Sequence, residues 1–237
     1  MQIIQVDKTT AYLEPLTTTI GLFDGLHLAH VALIKECIAL SKTNLTKSCV
    51  ITFTGEANRL SNKTDSSALL SFPDKIKVLK NLGVDYVLLF QFDEAFQKIT
   101  KEDFIKILLN LGIKALVVGF DFTYGYQGLG NIQTIEADSN HLLSVKIIPE
   151  LEIDGEKIGT SLIRKYLNQG NILQANKLLG YNFYTNLNQY GQSENLDLIP
   201  SGNYETNLGI VTIQDGLAFK DLKMLTNHQI IIYKKCE

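Results

Sequence analysis

The sequence predicts an α/β fold, a doubly wound parallel sheet with a small β-rich appendage at its C-terminal end. Short aliphatic runs and helical patterns alternate over the first three-quarters of the chain, and the composition changes after Gly180. Alternating strands and helices predict a parallel sheet whose strands are joined by helical crossovers. The chain has 237 residues, of which 45% are hydrophobic, so it can bury a sizeable core.

Five runs with few polar interruptions are the strand candidates. They cover residues 17–22, 49–53, 86–90, 115–120 and 144–148. Such runs are typical of strands that are buried on both faces of a parallel sheet. The first helix is predicted over residues 27–42, because apolar side chains recur there at intervals of three and four: Leu28, Val31, Ile34 and Ile38. Together these patterns favour a Rossmann-like sheet.

Two more helices carry start and stop signals. Ser71 and Thr100 each precede an aspartate by three residues, a variant of the capping box that begins many helices. Gly83 and Gly112 follow the last leucine of each pattern, where a glycine commonly ends a helix.

The main domain is predicted over residues 1–184, and residues 185–237 are predicted to be a linker with a small β-rich remnant. Two short helices, one from about Ser161 and one over residues 171–179, close the main domain. Residues 181–197 have little periodicity and are predicted to be linker. Strand candidates follow at residues 208–213, 217–222 and 229–234, the first two joined by a turn at 214–216.

Charge and composition exclude several function classes. A net charge of -3 and a pI near 5.8 argue against nucleic acid as the main partner. Residues 1–19 lack the pattern of a secretory signal, and no apolar run approaches the roughly 20 residues that span a bilayer. The three cysteines, an odd number without metal-ligand spacing, are Cys37, Cys49 and Cys236. We therefore expect free thiols, two in the core and one near the tail, in a reducing cytoplasm.

The stretch that is most informative about chemistry reads Gly21-Leu-Phe-Asp-Gly-Leu-His-Leu-Ala-His30, where the first strand turns into the first helix. Ligands of open α/β sheets bind beyond the carboxyl ends of the strands, and helix N-termini offer N–H groups to phosphates. Gly21 and Gly25 permit a tight turn, and His27 and His30 fall on one helix face. Two imidazole donors there suit the charge that develops on a phosphate during displacement. A phosphate site is predicted; surface or core histidines, or a metal site, are the alternatives.

Two later segments carry further candidates. Val118-Gly-Phe-Asp-Phe-Thr-Tyr-Gly125 and Gln127-Gly-Leu-Gly-Asn131 follow the fourth predicted strand, and their glycines, rings and carboxylate suit a site that binds a flat ring. In Ile158-Gly-Thr-Ser-Leu-Ile-Arg164, Thr160 or Ser161 is predicted to cap a helix. The guanidinium of Arg164 on the first turn would complete a second phosphate clamp. Ordinary loop composition and common helix caps are the alternatives.

Taken in order, the three motifs resemble the adenylyltransferase module of bacterial FAD synthetases, the bifunctional riboflavin kinase/FMN adenylyltransferase family. That family's signature reads Gly-x-Phe-Asp-Gly-x-His-x-Gly-His, then Val-Gly-x-Asp-Phe-x-Phe-Gly with a later Gly-Asn/Asp, then Ile-Ser-Ser-Thr-x-Ile-Arg. The similarity covers about residues 15–184. It implies a Rossmann-like sheet of the nucleotidylyltransferase type.

The resemblance implies transfer of AMP from ATP to FMN with release of pyrophosphate, and Mg²⁺ on the ATP phosphates. The catalytic candidates are His27, His30 and Arg164, which would stabilise phosphate charge. No protein ligands for a metal are expected. The substrate-binding candidates at the matching positions are Gly21, Phe23, Asp24, Gly25, Gly119, Asp121, Phe122, Tyr124, Asn131, Thr160 and Ser161.

Several positions depart from the family pattern. Ala29 replaces a glycine, Gly159-Thr160-Ser161 replaces Ser-Ser-Thr, and Thr54 to Ala57 replace a substrate-contacting Phe-Asp-Pro-His-Pro loop. Pro-Thr-Ala-Asn of the kinase module does not occur, so no riboflavin kinase activity is predicted. Two alternatives stay open: a catalytically silent protein that binds flavin or adenine nucleotide, and a transferase for another phosphorylated acceptor.

Overall fold

The computed structural model describes residues 1–11, 14–55, 67–221 and 223–236, and these form two units. The first unit comprises Met1–Phe23, His30–Thr64 and Ile76–Glu150. The second comprises Asp24–Ala29, Asp65–Lys75 and Leu151–Glu237. Each unit has its own apolar core.

The first unit alternates strands and helices, as the sequence predicts. In chain order the elements are β1 (Gln2–Val6), β2 (Leu16–Ile20), α1 (Leu28–Thr43), β3 (Lys47–Gly55), α2 (Phe72–Leu82), β4 (Tyr86–Phe92), α3 (Glu94–Gln97), α4 (Lys101–Asn110), β5 (Ile113–Gly119), β6 (Thr123–Tyr124), β7 (Gly130–Asn131), α5 (Ile135–Asp138) and β8 (Ser144–Ile148). The first residues of α1 and α2 are counted with the second unit.

Six of these strands form one parallel sheet in the order β1-β4-β3-β2-β5-β8. Strand β2 lies near the centre and is buried along its whole length, threonines included. The chain runs from β2 to β3 on one side and later places β5 on the other side. This reversal of strand order makes the carboxyl ends of β2 and β5 the expected ligand-binding edge of the sheet.

Local capping chemistry sets the helix ends. The hydroxyl of Thr100 accepts a hydrogen bond of 3.1 Å from the backbone N–H of Asp103, and Gly112 follows the helix with a φ of 87°. At the start of α2 the hydroxyl of Ser71 accepts a hydrogen bond of 3.3 Å from the backbone N–H of Asp74, and Gly83 follows the helix with a φ of 89°. Both capping predictions are confirmed.

The second unit combines two helices with an antiparallel sheet. Its elements are β9 (Glu152–Ile153), β10 (Glu156–Lys157), α6 (Thr160–Asn168), α7 (Ile172–Leu179), β11 (Tyr184–Asn186), β12 (Gly202–Thr206), β13 (Gly209–Gln214), β14 (Leu217–Lys220), β15 (Lys223–Met224) and β16 (Gln229–Lys235). The sheet order is β11-β16-β12-β13-β14-β15. The predicted turn at 214–216 has positive φ at Asp215 and Gly216, 50° and 73°, as a two-residue hairpin requires.

The fold class that the sequence predicts is confirmed, a parallel α/β sheet followed by an antiparallel β segment. Eight strands of the described residues were not predicted: β1, β6, β7, β9, β10, β11, β12 and β15. Among the described residues strand β1 pairs only with β4, and it is exposed over most of its length. It therefore lacks the unbroken apolar run of its neighbours. Strand β11 lies inside the segment predicted as linker, where it pairs with β16.

Two cysteines lie in the core and one near the C-terminal end, as predicted. Cys37 and Cys49 are buried free thiols, Cys236 is a partly exposed one, and burial raises the pKa of Cys37 to about 12. Within the described residues, no helix is both long and apolar enough to cross a bilayer.

Candidate active site

The predicted motifs of the first unit meet at the carboxyl edge of its parallel sheet. Gly21 directly follows β2, and Gly119 ends the neighbouring strand β5. A side chain at either position would press against a predicted site residue. An added Cβ at Gly21 would lie 3.2 Å from the ring of Phe23, and one at Gly119 would lie 3.2 Å from a carboxylate oxygen of Asp121. The glycines therefore allow Phe23 and Asp121 to approach the ends of the strands.

An apolar cavity of about 390 Å³ opens at this edge of the sheet. Its lining is Ile20, Gly21, Phe53, Phe92, Phe96, Gln97, Ile99, Phe104, Phe122, Thr123, Tyr124, Gly125 and Gln127. The volume falls in the range of small-molecule sites, which are mostly apolar with a few polar groups. Such a lining suits a flat aromatic ligand.

The aromatic rings of the cavity are mutually ordered. Tyr124 stacks on Phe104 with ring centroids 5.5 Å apart and on Phe122 with centroids 6.1 Å apart. Phe53 packs edge-on against Phe92 and Phe96, each at 5.5 Å. Aromatic pairs in these geometries hold one another in fixed orientations, so the cavity walls are largely preformed.

A two-stranded hairpin, β6 with β7, carries the second predicted motif. It brings Thr123 opposite Asn131 and Tyr124 opposite Gly130. The side-chain oxygen of Asn131 accepts a 2.9 Å hydrogen bond from the backbone of Gln133, so its first role is to order the turn. Of the predicted residues here, Phe122 and Tyr124 line the cavity; Asp121 and Asn131 do not.

The histidine motif follows an unusual backbone path. Phe23, Gly25 and Leu26 all have positive φ, at 51°, 76° and 41°. For residues with a side chain this conformation is strained, and such strain clusters at functional sites. Within the first unit, His30 is half-buried in the first turn of α1, and its ring meets the ring of Phe23 edge-on at 5.2 Å.

His27 belongs to the second unit and is buried, with 3% of its surface exposed. Burial lowers its pKa to about 4, against the opposing attraction of the Asp24 carboxylate. The imidazole is therefore neutral at pH 7. It can donate one hydrogen bond through one ring nitrogen and accept another at the second.

Asp24 and Arg164 form a buried ion pair within the second unit. The guanidinium donates to a carboxylate oxygen of Asp24 at 2.7 Å and to the backbone oxygen of Ser67 at 2.7 Å. The other oxygen of Asp24 accepts from the backbone N–H of Leu69 at 2.8 Å. Arg164, predicted as a phosphate clamp, is thus also a structural cross-link, and Asp24 is its partner.

Gly25 allows close packing in the second unit. An added Cβ would lie 2.9 Å from the side chain of Leu69, and the Gly25 carbonyl accepts a 2.7 Å hydrogen bond from the hydroxyl of Tyr181. Ala29, the departure from the family's glycine, packs against the apolar core of this unit.

Two predictions about α6 are wrong. Neither Thr160 nor Ser161 caps this helix, because it already begins at Thr160 and its N-cap residue is Gly159, which has no side chain to accept a hydrogen bond. Thr160 is half-buried and Ser161 is exposed on the first turn. Arg164 was predicted on the first turn but is the fifth residue of the helix, one turn further along, because the helix begins at Thr160.

Sequence reasoning missed most of the cavity lining. Phe53 and Phe92 lie near the carboxyl ends of β3 and β4, and Phe96 lies in α3. The available signal was that each of these two neighbouring strands carries an aromatic residue near its carboxyl end. Of the altered loop, Thr54 and Gly55 finish β3, whereas Glu56 and Ala57 lie outside the described residues.

No group of three or more His, Cys, Asp or Glu side chains within the described ranges is arranged to hold a metal ion. Two side chains of the histidine motif make contacts that are not those of metal ligands: His30 packs on the ring of Phe23, and Asp24 is paired with Arg164. These residues do not fit a protein-held metal centre.

Comparisons with known proteins agree with the motifs. A sequence model described as FAD synthetase matches residues 9–162. A bifunctional riboflavin kinase/FMN adenylyltransferase of Listeria monocytogenes is 29% identical over 191 residues, which cover 75% of this chain and 61% of that protein. The corresponding protein of Buchnera aphidicola (subspecies Schizaphis graminum) is 32% identical, with 70% of this chain and 54% of that protein covered. The chain therefore matches little more than half the length of these relatives.

Two further matches cover more of the matched protein. A Listeria monocytogenes protein named FAD synthetase is 26% identical, and the match covers 82% of each chain. The solved structure of a protein described as a macrolide-efflux protein of Streptococcus pneumoniae superposes with a TM-score of 0.79 at 21% identity and covers 99% of both chains. At this identity the superposition shows a shared fold. The sequence matches confirm the resemblance that the three motifs indicated.

Proposed function

The chain belongs to the FAD synthetase family, and from that premise we propose that it transfers AMP from ATP to FMN, yielding FAD and pyrophosphate. The observation that carries the proposal is the aromatic cavity at the switch point of the parallel sheet. A flavin is a flat, largely apolar ring system with a phosphorylated side chain, which is the kind of ligand that this lining suits.

The cavity supports flavin binding through shape and position. Its aromatic residues suit the flat isoalloxazine, and Gln97 and Thr123 are polar residues of the lining. The cavity also adjoins Gly21, where β2 leads into the histidine motif. A flavin bound here would direct its phosphate toward the glycine-rich turn.

Each unit carries side chains whose chemistry suits phosphate binding. In the first unit His30 lies in the first turn of α1, where backbone N–H groups and the helix dipole favour anions. In the second unit the neutral His27 can donate to a phosphate oxygen, and Arg164 supplies a fixed positive charge whose direction Asp24 sets.

The chemistry is an in-line displacement at the α-phosphorus of ATP. An oxygen of the FMN phosphate attacks the α-phosphorus, and the bond from that phosphorus to the bridging oxygen of the β-phosphate breaks, so pyrophosphate leaves with that electron pair. The FMN phosphate is already ionised at pH 7, so no general base is required. The side chains position the two substrates and stabilise the charge on the equatorial oxygens. We propose that Mg²⁺ enters as part of the MgATP substrate.

The test is to incubate the chain with FMN and MgATP and to follow FAD by chromatography, with riboflavin as a parallel substrate. We expect FAD from FMN and no phosphorylation of riboflavin. His30→Ala should lower the rate of FAD formation about 10²- to 10³-fold, as loss of a transition-state donor does. His141→Ala, at an exposed histidine of the same unit, serves as the matched control and should leave the rate unchanged.

Other outcomes would select the alternatives. Binding of FMN or ATP without any FAD would favour the catalytically silent protein. Nucleotide transfer to another phosphorylated acceptor but not to FMN would favour a different transferase. A normal rate in His30→Ala would refute the role proposed for that imidazole.

A further inference from the structure

A buried tyrosine hydroxyl behind the aromatic cavity is tied to an ion pair. Tyr124 is 4% exposed, and its hydroxyl donates a 2.6 Å hydrogen bond to a carboxylate oxygen of Asp138. The other oxygen of Asp138 accepts a 2.7 Å hydrogen bond from the ammonium of Lys101. The hydroxyl of Thr134 lies 3.2 Å from the tyrosine oxygen. We call Lys101, Asp138 and Tyr124 the latch.

The latch joins three elements of the first unit. Tyr124 lies in the β6–β7 hairpin, Lys101 is the first residue of α4, and Asp138 is the last residue of α5. The backbone also holds the same hairpin to the segment just before α4, since the N–H of Tyr126 donates to the carbonyl of Ile99 at 2.6 Å. The latch thus adds a side-chain connection to a backbone one.

Two glycines bring the hairpin into close contact with its neighbours. An added Cβ at Gly125 would lie 2.7 Å from the backbone of Lys101, and one at Gly130 would lie 2.4 Å from the ring of Tyr124. Neither distance leaves room for a side chain, so the ring is enclosed from the Gly130 side. Its hydroxyl has to find its partner inside the protein, and Asp138 is that partner.

The charge state of the latch is stable over the whole ordinary pH range. The hydrogen bond from Lys101 and then that from Tyr124 lower the pKa of Asp138 to about 2. Burial, followed by the hydrogen bond to Asp138, raises the pKa of Tyr124 to about 12. The carboxylate therefore stays an acceptor and the phenol stays a donor.

We propose that Lys101 and Asp138 are positioning residues for the flavin: by anchoring the hydroxyl of Tyr124 they fix the hairpin wall of the cavity and so set its affinity for FMN. Tyr124, Thr123, Gly125 and Gln127 of this wall line the cavity, whereas Lys101 and Asp138 do not. The inference rests on the proposed function for its ligand. The family signature quoted above has phenylalanine where this chain has Tyr124, so the need for an acceptor is a feature of this chain.

The experiment is a double-mutant cycle of Asp138→Ala, Tyr124→Phe and the double variant. Asp138→Ala leaves a buried hydroxyl without its charged acceptor and should raise the KM for FMN about tenfold. The kcat and the KM for ATP should stay within about twofold, because an affinity defect confined to the flavin acts on ground-state binding. The double variant should recover most of the loss, since a phenylalanine ring needs no acceptor.

Two further variants sharpen the cycle. Lys106→Ala breaks an exposed ion pair with Asp103 on the same helix, with a separation of 3.1 Å, and should change neither KM. If Asp138→Ala fails to fold, Lys101→Met removes the charge but keeps an unbranched aliphatic side chain, and it should also raise the KM for FMN.

Hydrogen exchange of the ligand-free protein reports on the latch without FMN. Amides of residues 123–131 should exchange at least about tenfold faster in Asp138→Ala and return toward the wild-type rate in the double variant. Unchanged exchange would overturn the latch. Faster exchange with an unchanged KM for FMN, or with equal changes in both KM values, would overturn its role in flavin positioning. If the wild-type protein binds no FMN, the proposed function is refuted, and so is the role of the latch in flavin binding. The exchange data would still decide whether the latch holds the hairpin.

Discussion

Removal of one partner from the ion pair between Arg164 and Asp24 is expected to destabilise the second unit strongly. The two side chains are 16% and 12% exposed, and their charged atoms are 2.7 Å apart. Replacing Arg164 with alanine removes the donor to Asp24 and to the carbonyl of Ser67, while the Asp24 carboxylate keeps the hydrogen bond from the backbone N–H of Leu69. Loss of one partner from a buried pair costs about 3 kcal/mol or more of unfolding free energy.

Urea unfolding followed by circular dichroism measures this cost, and thermal unfolding checks it. A loss of about 3 kcal/mol corresponds to a fall in Tm of roughly 6–12 °C for a chain of this size. The matched control is Lys234→Ala, which breaks an exposed pair with Glu205 in the same unit, separated by 3.2 Å. An exposed pair contributes less than about 1 kcal/mol, so this variant should unfold almost as the wild type does.

The double variant Arg164→Ala/Asp24→Asn separates the lost contact from the charge left behind. Because the neutral amide needs no counter-ion, we expect the double variant to be more stable than Arg164→Ala alone. A loss below about 1 kcal/mol in Arg164→Ala, or strictly additive costs in the double variant, would refute the buried-pair reasoning.

Three further predictions concern single positions. Because His27 binds its proton at about pH 4 in the folded state and at 6.5 when unfolded, acidification from pH 6.5 to 4 should cost about 3 kcal/mol of unfolding free energy, and His27→Gln should flatten that pH dependence. In urea unfolding, Gly25→Ala should lower the free energy of unfolding at least about twice as much as Gly155→Ala does. Both glycines have φ near 77°, but only at Gly25 would an added Cβ meet a neighbour, the side chain of Leu69 at 2.9 Å. Equal losses in the two variants would contradict the packing argument. Phe96→Ala should raise the KM for FMN about tenfold and leave the KM for ATP unchanged in the FAD assay, because a ring of the cavity wall is lost; an equal rise in both would place the defect elsewhere.

Patterns within a few residues of one another determined the elements of the main sheet. The aliphatic runs of β2 to β5 and β8 predict buried parallel strands because such strands have no solvent face. The capping residues Ser71 and Thr100 predict helix starts because their oxygens satisfy N–H groups two or three positions away. Strand β1 was missed because its place in the sheet comes from pairing with β4, more than eighty residues away along the chain.

The candidate site, too, has features that the local sequence determines and features that only the tertiary structure decides. The sequence by itself determined that a glycine-rich turn with two histidines lies between the first strand of the motif and its helix, because backbone freedom and side-chain type are local properties. Only the tertiary structure decided that Arg164 pairs with Asp24, 140 residues earlier, and that the hydroxyl of Tyr124 meets Asp138. Both are partnerships of buried polar groups, which depend on what folding excludes from water, and no spacing along the chain encodes that. The aromatic cavity follows the same rule, since its rings come from separate strands and helices that meet only at the carboxyl edge of the folded sheet.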